Sequence, residues 1–380
     1  MVLDCTALLR EVETAEKIIV YGARLDAAAL VEYLGENGLS QKILVAVGDV
    51  NANEASLLGH NVCDVRDLTK LGEHAVIILA VAQRHQASVE EEMRSRGFSN
   101  VIRLTTSLLQ DIYQQMGYPP HLAKVDFLVV ACGQACTLRC RDCANFSPYA
   151  TKETRAYPIE TILQDLQTIM RHTAFINRLQ IQGGEPFLYP QLAEVVDYAI
   201  GQKTIRHVTV ATNGTLIPRS VSLLAHLKDS KVDVRISNYQ SVSGMKSKIE
   251  ALEAFLEENS IRYRTHKFAS RIDMWSQCGS VDTPREDDDA VVKKRFDHCA
   301  FRGCLTLENS QLGYCSRSTI AGSLQRFEPN CIGRDLLHVR DADNFAGRLA
   351  DYMANKHFME CCRYCYGTQG ALVSPAIQLA

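Results

Sequence analysis

The sequence predicts an α/β protein of three domains: a doubly wound sheet at residues 1–120, a partial (β/α)6 barrel at 121–295 and a cysteine-rich domain at 296–380. Three observations predict this architecture. Strands alternate with helices in two separate series, which favours parallel sheets. Glycine, cysteine or polar side chains follow the strands of the second series. Most of the fourteen cysteines lie in the second half of the chain or directly after the first strand of that series.

Composition limits the class of protein. The 380 residues carry a net charge of −3 and contain no long basic run, so we expect no nucleic-acid partner. The first fifteen residues include acids and no long apolar run, so we expect neither a signal peptide nor a membrane partner. We therefore expect a cytoplasmic, reducing setting, in which so many cysteines include metal ligands rather than a disulfide framework.

The N-terminal series lacks most of a phosphate-binding turn. Its predicted strands are 17–22, 42–47, 75–81 and 100–104, and its predicted helices are 24–35, 85–96 and 107–116. Only Gly22 remains of the G-x-G-x-x-G pattern that cradles a pyrophosphate, although Asp49 stands where a ribose-binding acid would follow the second strand. The domain resembles the Rossmann-like amino-terminal domains of nucleotide-sugar-modifying acyltransferases. We favour a lost or altered binding function over a working dinucleotide site.

The second series predicts a barrel whose site lies at one edge. After a break at Gly117–Pro120, the predicted strands are 125–131, 178–182, 207–211, 232–236 and 261–266. The predicted helices between them are 158–172, 189–200, 217–227 and 244–258. Active residues of such barrels gather at the carboxyl ends of the strands. The conspicuous short segments of this chain all follow a strand: cysteines after the first, Gly-Gly-Glu-Pro after the second, Thr-Asn-Gly after the third and Ser-Asn-Tyr after the fourth.

The segment after the first strand reads CGQACTLRCRDC. Cys136, Cys140 and Cys143 are spaced C-x3-C-x2-C, and three thiolates in one loop can hold an iron–sulfur cluster with one iron left open. The alternative is a zinc loop that uses Cys132 as its fourth ligand. We place Cys132 outside the set, because it lies one residue beyond the strand and outside the spacing.

These segments together resemble the radical S-adenosylmethionine (SAM) superfamily, whose core would be a partial TIM-like barrel. The resemblance implies that Cys136, Cys140 and Cys143 hold the catalytic 4Fe-4S cluster and that SAM fills the open iron. The cofactor-binding residues that it implies are Gly183, Gly184, Glu185, Thr212, Asn213 and Ser237. One departure is Asp142, which stands where the family often has an aromatic residue near the adenine.

The C-terminal cysteines resemble a second cluster domain. A predicted hairpin, 305–307 with 312–315, lies between Cys299 and the Cys362-x2-Cys365 pair. This order is similar to the twitch domain, a shortened SPASM domain that carries an auxiliary 4Fe-4S cluster. The predicted ligands are Cys299, Cys315, Cys362 and Cys365, with Cys304, Cys331 and Cys361 as alternatives. A four-cysteine zinc site remains open.

Three functions remain in competition. The first is a radical SAM oxidoreductase or epimerase acting on a sugar, nucleotide sugar or cyclitol, served by an electron donor such as flavodoxin or ferredoxin. The second is a radical SAM maturase that crosslinks or epimerises a peptide. The third is a non-catalytic zinc scaffold. The sequence identifies no catalytic side chain, and Tyr239, Arg317 and Trp275 are candidates for substrate contact.

Overall fold

The computed structural model describes residues 4–48, 56–71, 74–266, 274–323, 335–341, 345–354 and 357–379. Asp49 and Cys331, both named above, lie outside the described residues. The chain forms two compact units, Met1–Lys124 and Val125–Ala380. None of the described helices combines the length and the hydropathy that crossing a bilayer requires.

The first unit is a doubly wound sheet. Its strands are β1 (Lys17–Tyr21), β2 (Ile43–Val47), β3 (Ser56–Leu57), β4 (His60–Asp64), β5 (Ala75–Leu79) and β6 (Asn100–Arg103). Its helices are α1 (Cys5–Glu13), α2 (Leu25–Glu36), α3 (Gln83–Ser95) and α4 (Thr106–Gln115). The strand order is β3-β4-β2-β1-β5-β6, and all neighbours except β3 and β4 run parallel. Sequence patterning missed α1, β3 and β4, since the His60–Asp64 strand is short and mostly polar.

The glycine turn after β1 is explained by packing. Gly22 has φ +131°, and a Cβ there would lie 2.5 Å from the main-chain oxygen of Ala80 at the end of β5. Gly22 also donates to Ala46 O over 2.8 Å. The close approach that this glycine permits is therefore made to the protein's own backbone.

The second unit contains the barrel series. Its strands are β7 (Ala123–Ala131), β8 (Thr173–Gln182), β9 (Ile205–Thr212), β10 (Val232–Ser237) and β11 (Tyr263–His266). The helices between them are α5 (Ile159–Arg171), α6 (Leu192–Gly201), α7 (Val221–Leu227) and α8 (Lys246–Glu258). These are the five strands and four helices predicted from periodicity. They confirm an α/β series in which successive strands are neighbours in one sheet.

The C-terminal segment extends the same sheet. Its elements are β12 (Trp275–Ser276), α9 (Asp289–Asp297), β13 (Leu305–Glu308), β14 (Gln311–Gly313), α10 (Ser316–Ser323), β15 (Leu337–His338), α11 (Phe345–Ala354) and β16 (Leu372–Val373). The sheet order is β11-β10-β9-β8-β7-β13-β14-β15, with β13 parallel to β7. The sixth parallel strand thus lies beside the first strand of the series rather than after the fifth.

The predicted hairpin is confirmed by the antiparallel pairing of β13 with β14. Its turn consists of Asn309 and Ser310, both with positive φ, as a two-residue hairpin turn requires. Because this hairpin shares the barrel sheet, the predicted boundary between residues 295 and 296 lies within one compact unit.

The strands of the barrel present two different faces. On one face, apolar side chains are fully buried, and α5, α6 and α7 contact β8, β9 and β10 respectively. The opposite side, here called the inner face, carries polar residues at every second position. Its members on β8 to β11 are Arg178, Gln180, Gln182, His207, Thr209, Ala211, Asp233, Arg235, Ser237 and Arg264.

Candidate active site

The cysteine loop begins where β7 ends. Cys132 is 1% exposed, its amide donates to Gln182 O over 2.9 Å, and burial raises the pKa of its thiol to about 12. The next three cysteines are close enough to influence one another's ionisation. Burial, with a smaller contribution from the nearby Cys143, raises the pKa of Cys136 to about 11 and that of Cys140 to about 12. A bound metal favours the thiolate form and would reverse these shifts.

Each of the three thiols has a polar neighbour. Asn213 Nδ2 lies 3.5 Å from Cys136 Sγ, and Gln378 Nε2 lies 3.5 Å from Cys140 Sγ. Cys143 Sγ lies 3.8 Å from Ser147 Oγ. Hydrogen bonds to sulfur are one means by which proteins set the reduction potential of an iron–sulfur cluster. The thiols and their donors therefore fit a cluster.

A cluster and a single metal ion place different demands on the spacing of three thiols. Within the described residues, no three Cys, His, Asp or Glu side chains are arranged to hold one metal ion. Thiolates that share one zinc must each lie about 2.3 Å from it, which brings the sulfurs close together. The thiolates of a 4Fe-4S cluster bind different irons and are spread more widely. Three cysteines in one loop match the ligand number of a 4Fe-4S cluster that keeps one iron open.

Gly183 and Gly184 lie against the backbone of the cysteine loop. A Cβ on Gly183 would lie 2.2 Å from Gly133 O, and one on Gly184 would lie 2.4 Å from Ala135 O and 2.5 Å from Gln134 O. Gly184 N donates to Gly133 O over 3.0 Å, and Glu185 N donates to Ala135 O over 2.7 Å. These glycines are needed because the end of β8 and the cysteine loop share main-chain hydrogen bonds.

The variant Gly184→Ala should lose about 1–3 kcal/mol of unfolding free energy, because its methyl group would overlap two main-chain oxygens. Urea unfolding of the cluster-loaded protein measures this loss. Gly201→Ala is the matched control, since Gly201 is the last residue of α6 and a Cβ there meets nothing within 4 Å. The control should be unchanged or stabilised by up to about 1 kcal/mol. Equal stability of the two variants would contradict this account.

Glu185 joins two strand ends. Its Oε1 accepts from Thr212 Oγ1 at 2.8 Å and from Phe187 N at 3.1 Å, and its Oε2 accepts from Asn213 N at 2.8 Å. Burial raises the pKa of Glu185 to about 7, while the three hydrogen bonds oppose that rise. Both carboxylate oxygens thus have protein partners. In this structure Glu185 fixes Asn213, which in turn contacts Cys136.

The end of β10 places aromatic rings beside the thiols. The hydroxyl of Ser237 bonds to that of Tyr239. Burial raises the pKa of Tyr239, and the thiols of Cys140, Cys143 and Cys136 add to the rise. The ring of Trp275 meets that of Tyr239 edge to face, with centroids 5.7 Å apart. Two of the candidates for substrate contact, Tyr239 and Trp275, therefore lie together near the cysteine loop.

Residues 377–379 also contact the cysteine loop, and the sequence pattern did not predict these contacts. Arg141 N donates to Ile377 O over 2.7 Å, and Leu379 N donates to Arg139 O over 2.7 Å. Gln378 accepts from Arg139 N at 2.6 Å with its side-chain oxygen, in addition to its contact with Cys140. A single glutamine more than 230 positions away carries no local signal of such a role.

A second group of cysteines lines one cavity. The four predicted auxiliary ligands are all present there, together with two more thiols: Cys278, Cys299, Cys315, Cys361, Cys362 and Cys365. Cys304 is not among the lining residues. The Cys278 thiol donates to Cys365, and this bond lowers the pKa of Cys365. Six thiols around one space exceed the four that a 4Fe-4S cluster needs.

Arg317 lines this cavity, and two of its nitrogen donors are not used by the described residues. It is 5% exposed, its Nη2 lies 3.3 Å from the carbonyl oxygens of Ser280 and Tyr364, and its guanidinium lies 4.3 Å from the centroid of the Phe146 ring. Its Nε and Nη1 are buried and find no hydrogen-bond partner among the described residues. A fixed, buried cation with open N–H groups suits a cavity that holds thiolates or a negatively charged cluster.

The two cysteine sites are adjacent. Ala144, the residue after Cys143, lines the second cavity. Asn145 donates to Gly183 O over 3.3 Å and accepts from Ser316 Oγ at 2.6 Å, and Ser316 follows Cys315. One side chain thus links the cysteine loop, the glycine turn and the second cavity.

Residues 130–241 match the family model of the radical SAM superfamily. The match runs from the end of β7 through β10 and includes the cysteine loop, the glycine turn and the Thr-Asn and Ser-Asn strand ends. Residues 130–241 therefore form a radical SAM domain, as the sequence predicted. The cofactors of this family are SAM and a 4Fe-4S cluster, which the thiols of the loop fit.

The curated proteins that are similar to this chain match it over only part of its length. A GTP 3′,8-cyclase from Pelotomaculum thermopropionicum is 25% identical over 137 residues, which is 35% of this chain and 38% of that protein. A second GTP 3′,8-cyclase, from Chlorobaculum tepidum, is 27% identical over 26% of this chain and 29% of its own length. The chain thus spans well under half of the curated relatives it matches.

Among solved structures, BtrN in complex with AdoMet and 2-DOIA is similar, with 13% identity, a TM-score of 0.35 and coverage of 68% of this chain and 97% of that one. At this TM-score the similarity carries no argument about substrate. The domain assignment depends on the family model.

Proposed function

We propose that this radical SAM enzyme abstracts a hydrogen atom from a sugar, nucleotide sugar or cyclitol and oxidises or epimerises it. The observation that carries the proposal is the adjacency of the two cysteine sites. One site has three thiols in a C-x3-C-x2-C loop, and the other is a cavity with six. A second cluster beside the first would act as the acceptor of an electron taken from the substrate.

In the proposed catalytic site, Cys136, Cys140 and Cys143 are the cluster ligands. Asn213 and Gln378 donate to their sulfurs, and Glu185 holds Asn213 in place. Ser237 and Thr212 stand at neighbouring strand ends; Ser237 offers a hydroxyl group to SAM, whereas the hydroxyl of Thr212 donates to Glu185 and shapes the site through it. When bound, the reduced cluster and SAM supply a 5′-deoxyadenosyl radical that takes a hydrogen atom from the substrate.

In the proposed auxiliary site, Cys299, Cys315, Cys362 and Cys365 are the ligands, and Arg317 supplies a compensating positive charge. Oxidation of an alcohol to a carbonyl requires loss of two hydrogens. The first would leave as an atom and the second as a proton, and a cluster held by these four thiols would supply an acceptor for the remaining electron. Epimerisation would instead return a hydrogen atom to the carbon from the thiol of Cys278 or Cys361, and the thiyl radical left behind would need one electron from the electron donor and one proton to become a thiol again. A flavodoxin or ferredoxin is the proposed electron donor for the first site.

The test is SAM cleavage by the protein reconstituted anaerobically with iron and sulfide. With dithionite, the protein should form 5′-deoxyadenosine, and adding sugar phosphates, nucleotide sugars or aminocyclitols deuterated at the carbinol carbon should move deuterium into it for one compound class. A carbonyl product identifies an oxidase, and an inverted alcohol with solvent hydrogen identifies an epimerase. Deuterium transfer from a peptide instead would select the maturase. A fully loaded protein that forms no 5′-deoxyadenosine refutes the proposal.

A further inference from the structure

One arginine of the second cavity has only neutral partners among the described residues. Arg317 lies on α10, two positions after Cys315, and is 5% exposed. Its Nη2 lies 3.3 Å from Ser280 O and 3.3 Å from Tyr364 O, and its guanidinium lies 4.3 Å from the centroid of the Phe146 ring. Carbonyl oxygens and an aromatic face attract a cation, but they carry no net charge. These partners therefore leave the positive charge of Arg317 uncompensated.

Burial makes this charge costly. The guanidinium of an arginine stays protonated in proteins, so it does not escape the cost by losing a proton. Nε and Nη1 of Arg317 are buried, and neither finds a hydrogen-bond partner among the residues that the structure describes. A buried cation is stable when an anion or further hydrogen bonds offset the loss of its water. The two open N–H groups therefore indicate that an anionic occupant of the cavity completes this site.

The other cations at the cavity are paired within the protein. Arg295 and Arg302 also line it. Arg295 Nη2 lies 3.1 Å from Glu286 Oε2, and Arg302 Nη1 lies 3.3 Å from Asp297 Oδ1. No aspartate or glutamate is among the described residues that line the cavity. The charge that remains for an occupant of the cavity is that of Arg317.

The guanidinium of Arg317 is close to the thiols that are proposed to hold the auxiliary cluster. The bond from Cys278 lowers the pKa of Cys365, and the charge of Arg317 acts in the same direction. Cys315, a second proposed ligand, precedes Arg317 by two positions and lines the same cavity. A 4Fe-4S cluster bound by four thiolates is an anion, and its net charge is one of the factors that set its reduction potential. Such a cluster is the occupant that the charge of Arg317 suits.

Reduction of a cluster held here would add one negative charge to a space with aromatic and apolar walls. The walls include the buried side chains of Phe296, Tyr314 and Met359. Such surroundings disfavour the more negative, reduced form and lower the potential, whereas a nearby cation favours that form and raises the potential. A unit charge roughly 10 Å from the added electron, at an effective dielectric constant of about 20, changes the ratio of reduced to oxidised cluster by roughly tenfold.

We propose that the positive charge of Arg317 raises the reduction potential of a cluster held in the second cavity and so makes that cluster an electron acceptor. The step concerned is a one-electron reduction of the cluster, by dithionite in the experiment and by the substrate radical, which also releases a proton, in the proposed reaction. Arg317 acts through the cluster and is not itself a catalytic residue. This inference rests on the proposed function for the source of the electron, but the potential itself does not depend on turnover.

The test is a redox titration followed by electron paramagnetic resonance, without SAM or substrate. It uses the full chain with Cys136, Cys140 and Cys143 replaced by alanine, so that the signal comes from the second cavity alone. At one fixed ambient potential, Arg317→Gln should lower the ratio of reduced to oxidised cluster by about tenfold or more, which is about 59 mV for one electron. Arg317→Lys, which keeps the charge, should lower the ratio by less than about threefold.

Arg302→Gln is the matched control. It removes the same charge at the same cavity, but from a side chain that is 39% exposed and ion-paired with Asp297. The ratio should change less than about twofold in this variant. Arg317→Met keeps the length of the side chain and serves as a second neutral variant if the glutamine variant holds no iron. Iron and sulfide analysis verifies that each protein compared carries its cluster.

Several results would overturn this role of Arg317. A neutral variant that changes the ratio less than about twofold shows that the charge does not set the potential. Equal changes in Arg317→Gln and Arg302→Gln, or in Arg317→Gln and Arg317→Lys, exclude a specific effect of this charge. Failure of both neutral variants to hold iron assigns Arg317 to cluster binding instead, and a cavity that takes up zinc but no iron removes the acceptor altogether.

The fate of the proposed function is read separately, in the chain that keeps all its other cysteines. A potential that depends on Arg317, in a protein that forms no 5′-deoxyadenosine, would refute the proposed function and support this inference. A neutral Arg317 variant that keeps the potential but takes no deuterium from the substrate would assign Arg317 to substrate contact and overturn the inference.

Discussion

Replacing Cys136, Cys140 and Cys143 together by alanine should remove about four iron atoms per chain, the content of one 4Fe-4S cluster, and abolish formation of 5′-deoxyadenosine. The three thiols are close enough to perturb one another's ionisation, and each has a polar neighbour within 3.8 Å. Without them, the loop has no soft ligands to offer iron. Iron and sulfide analysis with electron paramagnetic resonance measures the loss.

Cys132→Ala is the matched control for that triple variant. Cys132 belongs to the same segment, but it is buried at the end of β7 with its amide bonded to Gln182. The control should keep its iron and its SAM cleavage, with some loss of stability from the shortened buried side chain. The ligand set is wrong if the Cys132 variant loses as much iron as the triple variant. It is also wrong if the triple variant keeps its full iron content.

Replacing Cys362 and Cys365 by alanine should remove a second group of about four irons. The double variant should still form 5′-deoxyadenosine when no substrate is present. These thiols line the second cavity and not the cysteine loop. Substrate oxidation should stop, because its electron acceptor is gone. When the free concentration of a bound group is 100 to 1,000 times its dissociation constant, its binding stabilises the fold by about 3–4 kcal/mol. The melting temperature should therefore fall by roughly 6–16 °C, which calorimetry measures.

Cys304→Ala provides the comparison for this second site, since Cys304 does not line the cavity. It should retain both clusters and the wild-type melting temperature within a few degrees. Single variants of Cys278 and Cys361 decide between ligands and spare thiols. Loss of the second cluster in either of these, with retention in Cys362→Ala, would replace the assigned ligand set with a different one.

The sequence predicted the barrel series because apolar residues recur along its strands, at alternate positions in Val232–Ser237, and helices with clear periodicity lie between them, as in Lys246–Glu258. The position of β13 beside β7 could not be predicted. Nothing in the sequence Leu305–Glu308 specifies which strand edge it joins, and the choice depends on long-range packing.

The site was predictable where chemistry is concentrated in adjacent residues. The cysteine triplet and the glycine pair are short, local patterns. Glu185 was among the predicted site residues, but its partners, Thr212 and Asn213, lie nearly thirty residues away. Nothing in the sequence around Gln378 indicated that it contacts the cysteine loop. The arginines of the inner face come from three separate strands, so their convergence depends on register, which a strand pattern alone does not fix.

The contacts between Gln378 and the cysteine loop have a consequence for synthesis. Gln378 accepts from Arg139 and contacts Cys140 across 239 and 238 positions of the chain. At translation rates of about 5–20 residues per second, the loop leaves the ribosome roughly 12–48 s before its partner segment does. During that interval Cys140 lacks its amide donor, and the loop lacks the segment that pairs with it. Delivery of iron and sulfide by a carrier would thus meet an open loop on the nascent chain and a covered one on the finished protein.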